Sequence, residues 1–218
     1  MDVISASILS CDHAYIGDGI RKAVAAGAGS IHVDVMDGYY VENMTFGPRL
    51  IWDIRRIVQV PVCVHLEVEN PDRIVPLFLD TPCDSIVFQM DACHNPIHLL
   101  KKIRQGGKRA GAAVSPAYTP EALRYILCHM DEIILMSVEP GYAGQDFEPS
   151  VYEKLQDLRR LMKDADRQIP IGIDGGVCAE NAAKLRNAGA DTLICGSSLF
   201  NGEDISGNLQ RLLASLSV

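Results

Sequence analysis

Ile31-His32-Val33-Asp34-Val35-Met36-Asp37-Gly38 decides how the rest of the chain is read. β-Branched apolar residues alternate with His32, Asp34 and Met36, and Gly38 closes the run, which predicts a buried strand ending in a turn. Side chains two apart on a strand share a face, so His32 and Asp34 point the same way near its C-terminal end. A buried imidazole beside a buried carboxylate has to be hydrogen-bonded, ion-paired or bound to a metal. By itself this spacing suits a structural His–Asp pair as well as a functional site. Two further stretches weigh toward a site, Val62-Cys63-Val64-His65-Leu66-Glu67 and Ile171-Gly172-Ile173-Asp174-Gly175-Gly176. Each is an apolar strand with a metal-competent side chain, His65 or Asp174, near its C-terminal end.

Around these strands the chain repeats one alternation eight times. Strands are predicted near 3–9, 30–36, 61–68, 84–90, 108–115, 131–138, 170–174 and 191–196. Helical patterns lie near 15–27, 48–58, 71–79, 95–106, 119–128, 149–164, 178–188 and 203–216. Pro71-Asp72 and Thr119-Pro120-Glu121 open helices, and Gly27 and Gly189 stand where helices close. Strict βα alternation means a parallel sheet, and eight units in this length favour closure into a (β/α)8 TIM barrel, one domain over residues 1–218. The open doubly wound alternative lacks its G-x-G-x-x-G fingerprint after the first strand.

The 218 residues, 48% hydrophobic and 22% charged, suit an ordinary globular chain with a large core. A net charge of −8 argues against nucleic acid or an anionic membrane surface as partner, though not against a small anion held by backbone amides. No apolar run approaches the ~20 residues of a membrane span. Met1-Asp2-Val3-Ile4 shows no basic leader. The seven cysteines form no Cys-x-x-Cys pair and fall mostly in apolar segments, which predicts buried reduced thiols and a cytoplasmic setting.

In a closed barrel the C-terminal strand ends build the active site, so His32, Asp34, His65 and Asp174 converge. Two imidazoles and two carboxylates make a site for one divalent ion, zinc first, with manganese, iron or cobalt as alternatives. A second cluster reads as a phosphate site. Strand six runs into Glu139-Pro140-Gly141-Tyr142-Ala143-Gly144-Gln145, strand seven into Gly175-Gly176, and strand eight into Gly196-Ser197-Ser198. Backbone N–H groups in such turns approach an anion closely, and no Lys or Arg is present there. Glycines that merely make turns are the plainer alternative. Residues 139–148 are the candidate lid.

These residues resemble the ribulose-phosphate 3-epimerases and related ketose-phosphate epimerases. The likeness runs from Ser5-Ala6-Ser7-Ile8-Leu9-Ser10 to Gly196-Ser197-Ser198-Leu199-Phe200. Its specific marks are residues 32–38, Asn43-Met44-Thr45-Phe46-Gly47-Pro48, Val64-His65-Leu66, Leu135-Met136-Ser137-Val138 with Pro140-Gly141 and Gly144-Gln145, and Asp174-Gly175-Gly176. The resemblance implies a metal-dependent homo-oligomer acting on a sugar phosphate. It puts the metal ligands on His32, Asp34, His65 and Asp174, with Asp34 and Asp174 also the acid/base pair. Ser7 would lie near substrate, Met36 and Met136 would floor the pocket, and Gly141, Gly144 and Gln145 would line it. Apart from the resemblance, Glu67 shares a strand face with His65 and is expected in the pocket, toward a sugar hydroxyl or the metal shell, unless the strand end turns and leaves it solvated. Gly144, Gly175, Gly176, Gly196 and Ser197 would hold the phosphate.

The chain also departs from that pattern. Glu67 stands where Met is usual, and Gln89, Ser115, Glu139 and Gly172 replace other common residues. An intact acid/base set inside an altered shell predicts a retained 3-epimerisation, with D-ribulose 5-phosphate and D-xylulose 5-phosphate as the default pair that the resemblance implies and another phosphorylated ketose, such as allulose 6-phosphate, as the alternative. A sugar-phosphate decarboxylase would need an Asp-x-Lys pair, and strand two has no Lys. A barrel that only binds sugar phosphates is the non-enzymatic alternative, against which the four intact residues count.

Overall fold

A computed structural model describes residues 3–202 and 204–216. Eight parallel strands close on themselves in sequence order, with β1 (Ile4–Ser7) pairing with both β2 (Ser30–Met36) and β8 (Thr192–Cys195). Between them lie β3 (Val62–Glu67), β4 (Ser85–Gln89), β5 (Arg109–Val114), β6 (Glu132–Met136) and β7 (Ile171–Asp174). The helices are α1 (Ile16–Ala26), α2 (Pro48–Arg55), α3 (Pro71–Leu79), α4 (Pro96–Gln105), α5 (Val151–Asp164), α6 (Ala179–Ala188), the single turn α7 (Ser197–Phe200) and α8 (Ile205–Ser215). The last helix was expected from residue 203, which lies outside the described residues. The chain is a (β/α)8 TIM barrel.

Two apolar compartments follow from the period of the strands. Ile31, Val33 and Val35 face outward into the layer under the helices, together with Val62, Val64, Leu66, Ile86 and Phe88. Inside the barrel a smaller cluster of Val87, Ala113, Ile134, Met136 and Ile194 fills the middle. His32, Asp34, His65, Glu67, Gln89 and Asp174 are buried polar residues of the strands. Gly27 and Gly189 close α1 and α6 in the left-handed conformation, at φ 117° and 110°.

One expected helix is different. Residues 120–129 form two 3₁₀ turns, Pro120–Leu123 and Leu127–His129, with Ile126 N–H bonded to Leu123 O and His129 N–H to Ile126 O. Leu123, Ile126 and Leu127 still reach the core. Over so short a segment the apolar pattern is common to both helix types, so it could not distinguish them. The cysteines are all free, as expected, but Cys128 is exposed because it falls on the outer side of these turns. Among the described residues no helix is long and apolar enough to cross a membrane.

Candidate active site at the mouth of the barrel

Strand register brings the site together. The β2–β3 ladder sets Asp34 beside His65 and Met36 beside Glu67, the β1–β2 ladder sets Ser7 beside His32, and the β6–β7 ladder sets Met136 beside Asp174. His32 Nε2 lies 2.9 Å from Asp34 Oδ1 and 3.4 Å from Asp174 Oδ2. His65 Nδ1 lies 3.2 Å from Asp34 Oδ1, 3.5 Å from Asp174 Oδ2 and 3.2 Å from His32 Nε2. All four residues are buried, and their donor atoms lie within 4.8 Å of one another.

That donor set fits a divalent metal. Ligands bound tetrahedrally at about 2.0–2.1 Å stand roughly 3.3 Å apart, and the five separations above, 2.9 to 3.5 Å, bracket that edge. Two imidazole nitrogens facing each other at 3.2 Å, each also facing carboxylates, form a cluster with an evident place for a cation.

Without a metal the charges hold one another. Burial works against an imidazolium at His32, but Asp34 and Asp174 outweigh it and push its pKa well above the usual histidine value. Burial opposes the charge of His65 too, while hydrogen bonds to Asp174 and Asp34 raise it to about 9. Asp34 stays well below the usual carboxylate range because His32 overcomes the burial penalty. Glu67 is pushed up to about 8 by burial, with Asp34 and Asp174 reinforcing the shift and His65 only partly relieving it.

A second ring of contacts orients these groups. Ser7 Oγ donates to Asp34 Oδ2 at 2.7 Å, and Thr45 Oγ1 donates to Asp34 O while accepting the Met36 N–H. Asp37 accepts the N–H groups of Tyr39, Tyr40 and Glu69, which ties the end of β2 to the end of β3. The Gln89 amide lies 3.1 Å from His65 Nε2. With its oxygen turned there, Gln89 accepts the Nε2–H and leaves the Nδ1 lone pair facing the cluster. Ser115 bridges Gln89 and Asp91 at 3.2 and 3.0 Å, and the Tyr40 hydroxyl donates to Asp91 at 2.9 Å.

Above the four donors opens a cleft. Ser7, Met36, Glu67, Met136, Gly141, Gly144 and Gln145 all line it, with Asp34 and Asp174. So do the turn residues Gly175, Gly176, Gly196 and Ser197, whereas Ser198 does not. His32 and His65 lie below it, at 1% and 0% exposure. Gly175 has φ 110°, and a Cβ there would come 2.5 Å from Val138. Only glycine makes that turn without displacing β6's continuation.

The expected lid is fastened at several points. Glu148 N–H bonds to Ser137 O at its base. Asn43 Nδ2 donates to Gly141 O at 2.9 Å, and the Tyr142 hydroxyl donates to Glu42 O at 2.5 Å. The Gln145 amide donates to the Glu139 and Tyr142 carbonyls, so that end of the side chain holds the loop's own shape. Glu139 itself is exposed at the rim. Gly172 lies one inward position below Asp174, where Ile194 and Ile134 fill the space.

Tyr40, Asp91 and Ser10 were missed in the sequence. The Ser10 hydroxyl is buried with no hydrogen-bond partner among the described residues, and Ser10 lines the cleft. A position three residues after Ser7, just past a strand end, was the only signal for it. Tyr40 and Asp91 belong to different loops, and nothing local announces their contact.

Fold and site together define a barrel enzyme class with two carboxylates and a metal-competent centre at the mouth. The model of the Ribulose-phosphate 3 epimerase family matches residues 3–200. The chain is 37% identical to the ribulose-phosphate 3-epimerase of Escherichia coli (strain K12), over 98% of this chain and 96% of that one. It is 38% identical to ribulose-phosphate 3-epimerase 1 of Cupriavidus necator, over 98% of this chain and 90% of that one. The chain belongs to the ribulose-phosphate 3-epimerase family. Among solved structures, the tryptophan synthase A-subunit of Pyrococcus furiosus superposes with a TM-score of 0.75 at 16% identity, over 97% of each chain, a likeness of fold alone.

Proposed function

We propose that the protein inverts C3 of a ketose phosphate, interconverting D-ribulose 5-phosphate and D-xylulose 5-phosphate. The observation that carries this reading is the meeting of Asp34 and Asp174 at one buried centre, beneath a cleft walled by glycine turns. The carbon next to a ketone bears a weakly acidic hydrogen, and inversion removes it from one face and returns a proton to the other. One carboxylate takes the C3 proton while its counterpart supplies one across the planar enediolate, and the roles exchange with the direction of reaction.

His32, Asp34, His65 and Asp174 would hold a divalent ion, zinc in our reading, which would supply Lewis-acid stabilisation of the enediolate's negative charge. Ser7 steers Asp34 through its hydrogen bond, and Gln89 orients His65. Backbone N–H groups of Gly144, Gly175, Gly176, Gly196 and Ser197, with the Ser197 hydroxyl, take the phosphate. Met36 and Met136 give the enediolate a polarizable apolar floor, Glu67, Gly141 and Gln145 complete the substrate wall, and the fastened 139–148 loop keeps water out. We further take the chain as one barrel domain over residues 1–218, working as a cytoplasmic homo-oligomer; the free, largely buried thiols favour a reducing compartment.

Asp34→Asn and Asp174→Asn test the acid/base pair. Each is expected to lower kcat by about 10²–10⁴-fold while the far-ultraviolet circular dichroism spectrum is kept. A variant retaining more than a tenth of the activity contradicts the assignment.

A further inference from the structure

The reaction as derived leaves Glu67 without a specific task. The side chain is buried at 2% exposure, yet it lines the cleft. Its Oε1 is 3.8 Å from His65 Nδ1, beyond a hydrogen bond, and Glu67 lies outside the group of four whose donor atoms converge. Its Oε2 is buried with no hydrogen-bond partner among the described residues. Nearby hydroxyl donors are engaged elsewhere, the Tyr40 hydroxyl with Asp91 and Ser7 with Asp34. A buried carboxylate oxygen lacking a donor is costly, so the arrangement suits a donor that arrives with the ligand.

Topology says which part of the ligand that is. In a barrel closed in the order β1 to β8, β3 stands opposite β7. Glu67 at the end of β3 therefore faces Gly175 and Gly176 across the mouth. A ketose phosphate with its phosphate on the β7 and β8 turns, and its reacting carbons over Asp34 and Asp174, points its other end at β3. In a 2-ketose that end is the C1 hydroxymethyl group.

We propose that Glu67 accepts a hydrogen bond from the substrate's C1 hydroxyl and so selects 1-hydroxy ketose phosphates over 1-deoxy ones. The assignment rests on the epimerase reading above. It makes Glu67 a substrate contact, distinct from the four donors.

The test compares D-ribulose 5-phosphate with its 1-deoxy analogue as substrates for the metal-loaded wild type and Glu67→Met, with bound metal per chain measured on both proteins. The wild type should favour the 1-hydroxy compound by about 2–13-fold in kcat/KM, as expected for loss of one hydrogen bond. Glu67→Met should lose most of that preference while binding the same amount of metal. Equal use of both compounds by the wild type overturns the assignment, and this comparison stands even if the variant fails to fold. An undiminished preference in Glu67→Met also overturns it, as does loss of metal, which would make Glu67 a ligand of the ion. A wild type that turns over neither compound overturns the epimerase reading, and the Glu67 assignment with it.

Discussion

His65 works through both ring nitrogens. Nδ1 joins His32, Asp34 and Asp174, while Nε2 meets the Gln89 amide, itself held by Ser115 and Asp91. A metal-facing imidazole needs its other nitrogen to donate, because that fixes tautomer and ring angle. Gln89→Leu is therefore expected to weaken zinc binding by about 10–100-fold, read by competition with a chromophoric chelator. Unchanged affinity would mean that packing alone holds the ring. The four convergent residues were legible from the sequence because period-two spacing puts His32 with Asp34, and strand ends put His65 and Asp174 beside them. The Gln89–Ser115–Asp91–Tyr40 chain was not, since it crosses β4, β5 and two loops and exists only after closure.

Turns and strands carry the next set of constraints. The turn after β7 is crowded as well as left-handed: a Cβ on Gly175 would meet Val138 side-chain atoms at 2.5 and 2.8 Å and the Val138 backbone nitrogen at 2.9 Å. The backbone contact cannot be relieved by a rotamer change. Gly175→Ala should cost about 1–3 kcal/mol, lowering Tm by roughly 2–12 °C for a chain of this size. It should also raise KM for the phosphorylated substrate by distorting the anion-facing turn. A variant that melts with the wild type and keeps its KM would show that the turn tolerates a side chain. Glycine at the strand ends could be read in the sequence as turn or anion site, and the crowding against β6 is what explains its demand for glycine. Residues 120–129 show the opposite limit: their apolar spacing was correct, and the hydrogen-bond pattern it supports was not determined by it.

Across the molecule, one repeating pattern produces both stability and site. Outward-facing Val, Ile and Leu of every strand pack beneath the helices, and inward positions turn polar toward the C-terminal mouth. Eight repeats of that pattern were sufficient to expect a closed barrel, because parallel strands need covering on both faces and eight close neatly around filled interiors. Closure then brings Asp34 of β2 and Asp174 of β7 to one centre and sets β3 opposite β7, on which the Glu67 assignment depends; no local stretch reveals either. The account is tested most directly by incubating the metal-loaded protein with D-ribulose 5-phosphate in D₂O and following C3 by NMR. It predicts D-xylulose 5-phosphate carrying deuterium at C3. Failure to form the epimer with metal bound, or an epimer that keeps its original C3 hydrogen, would contradict it.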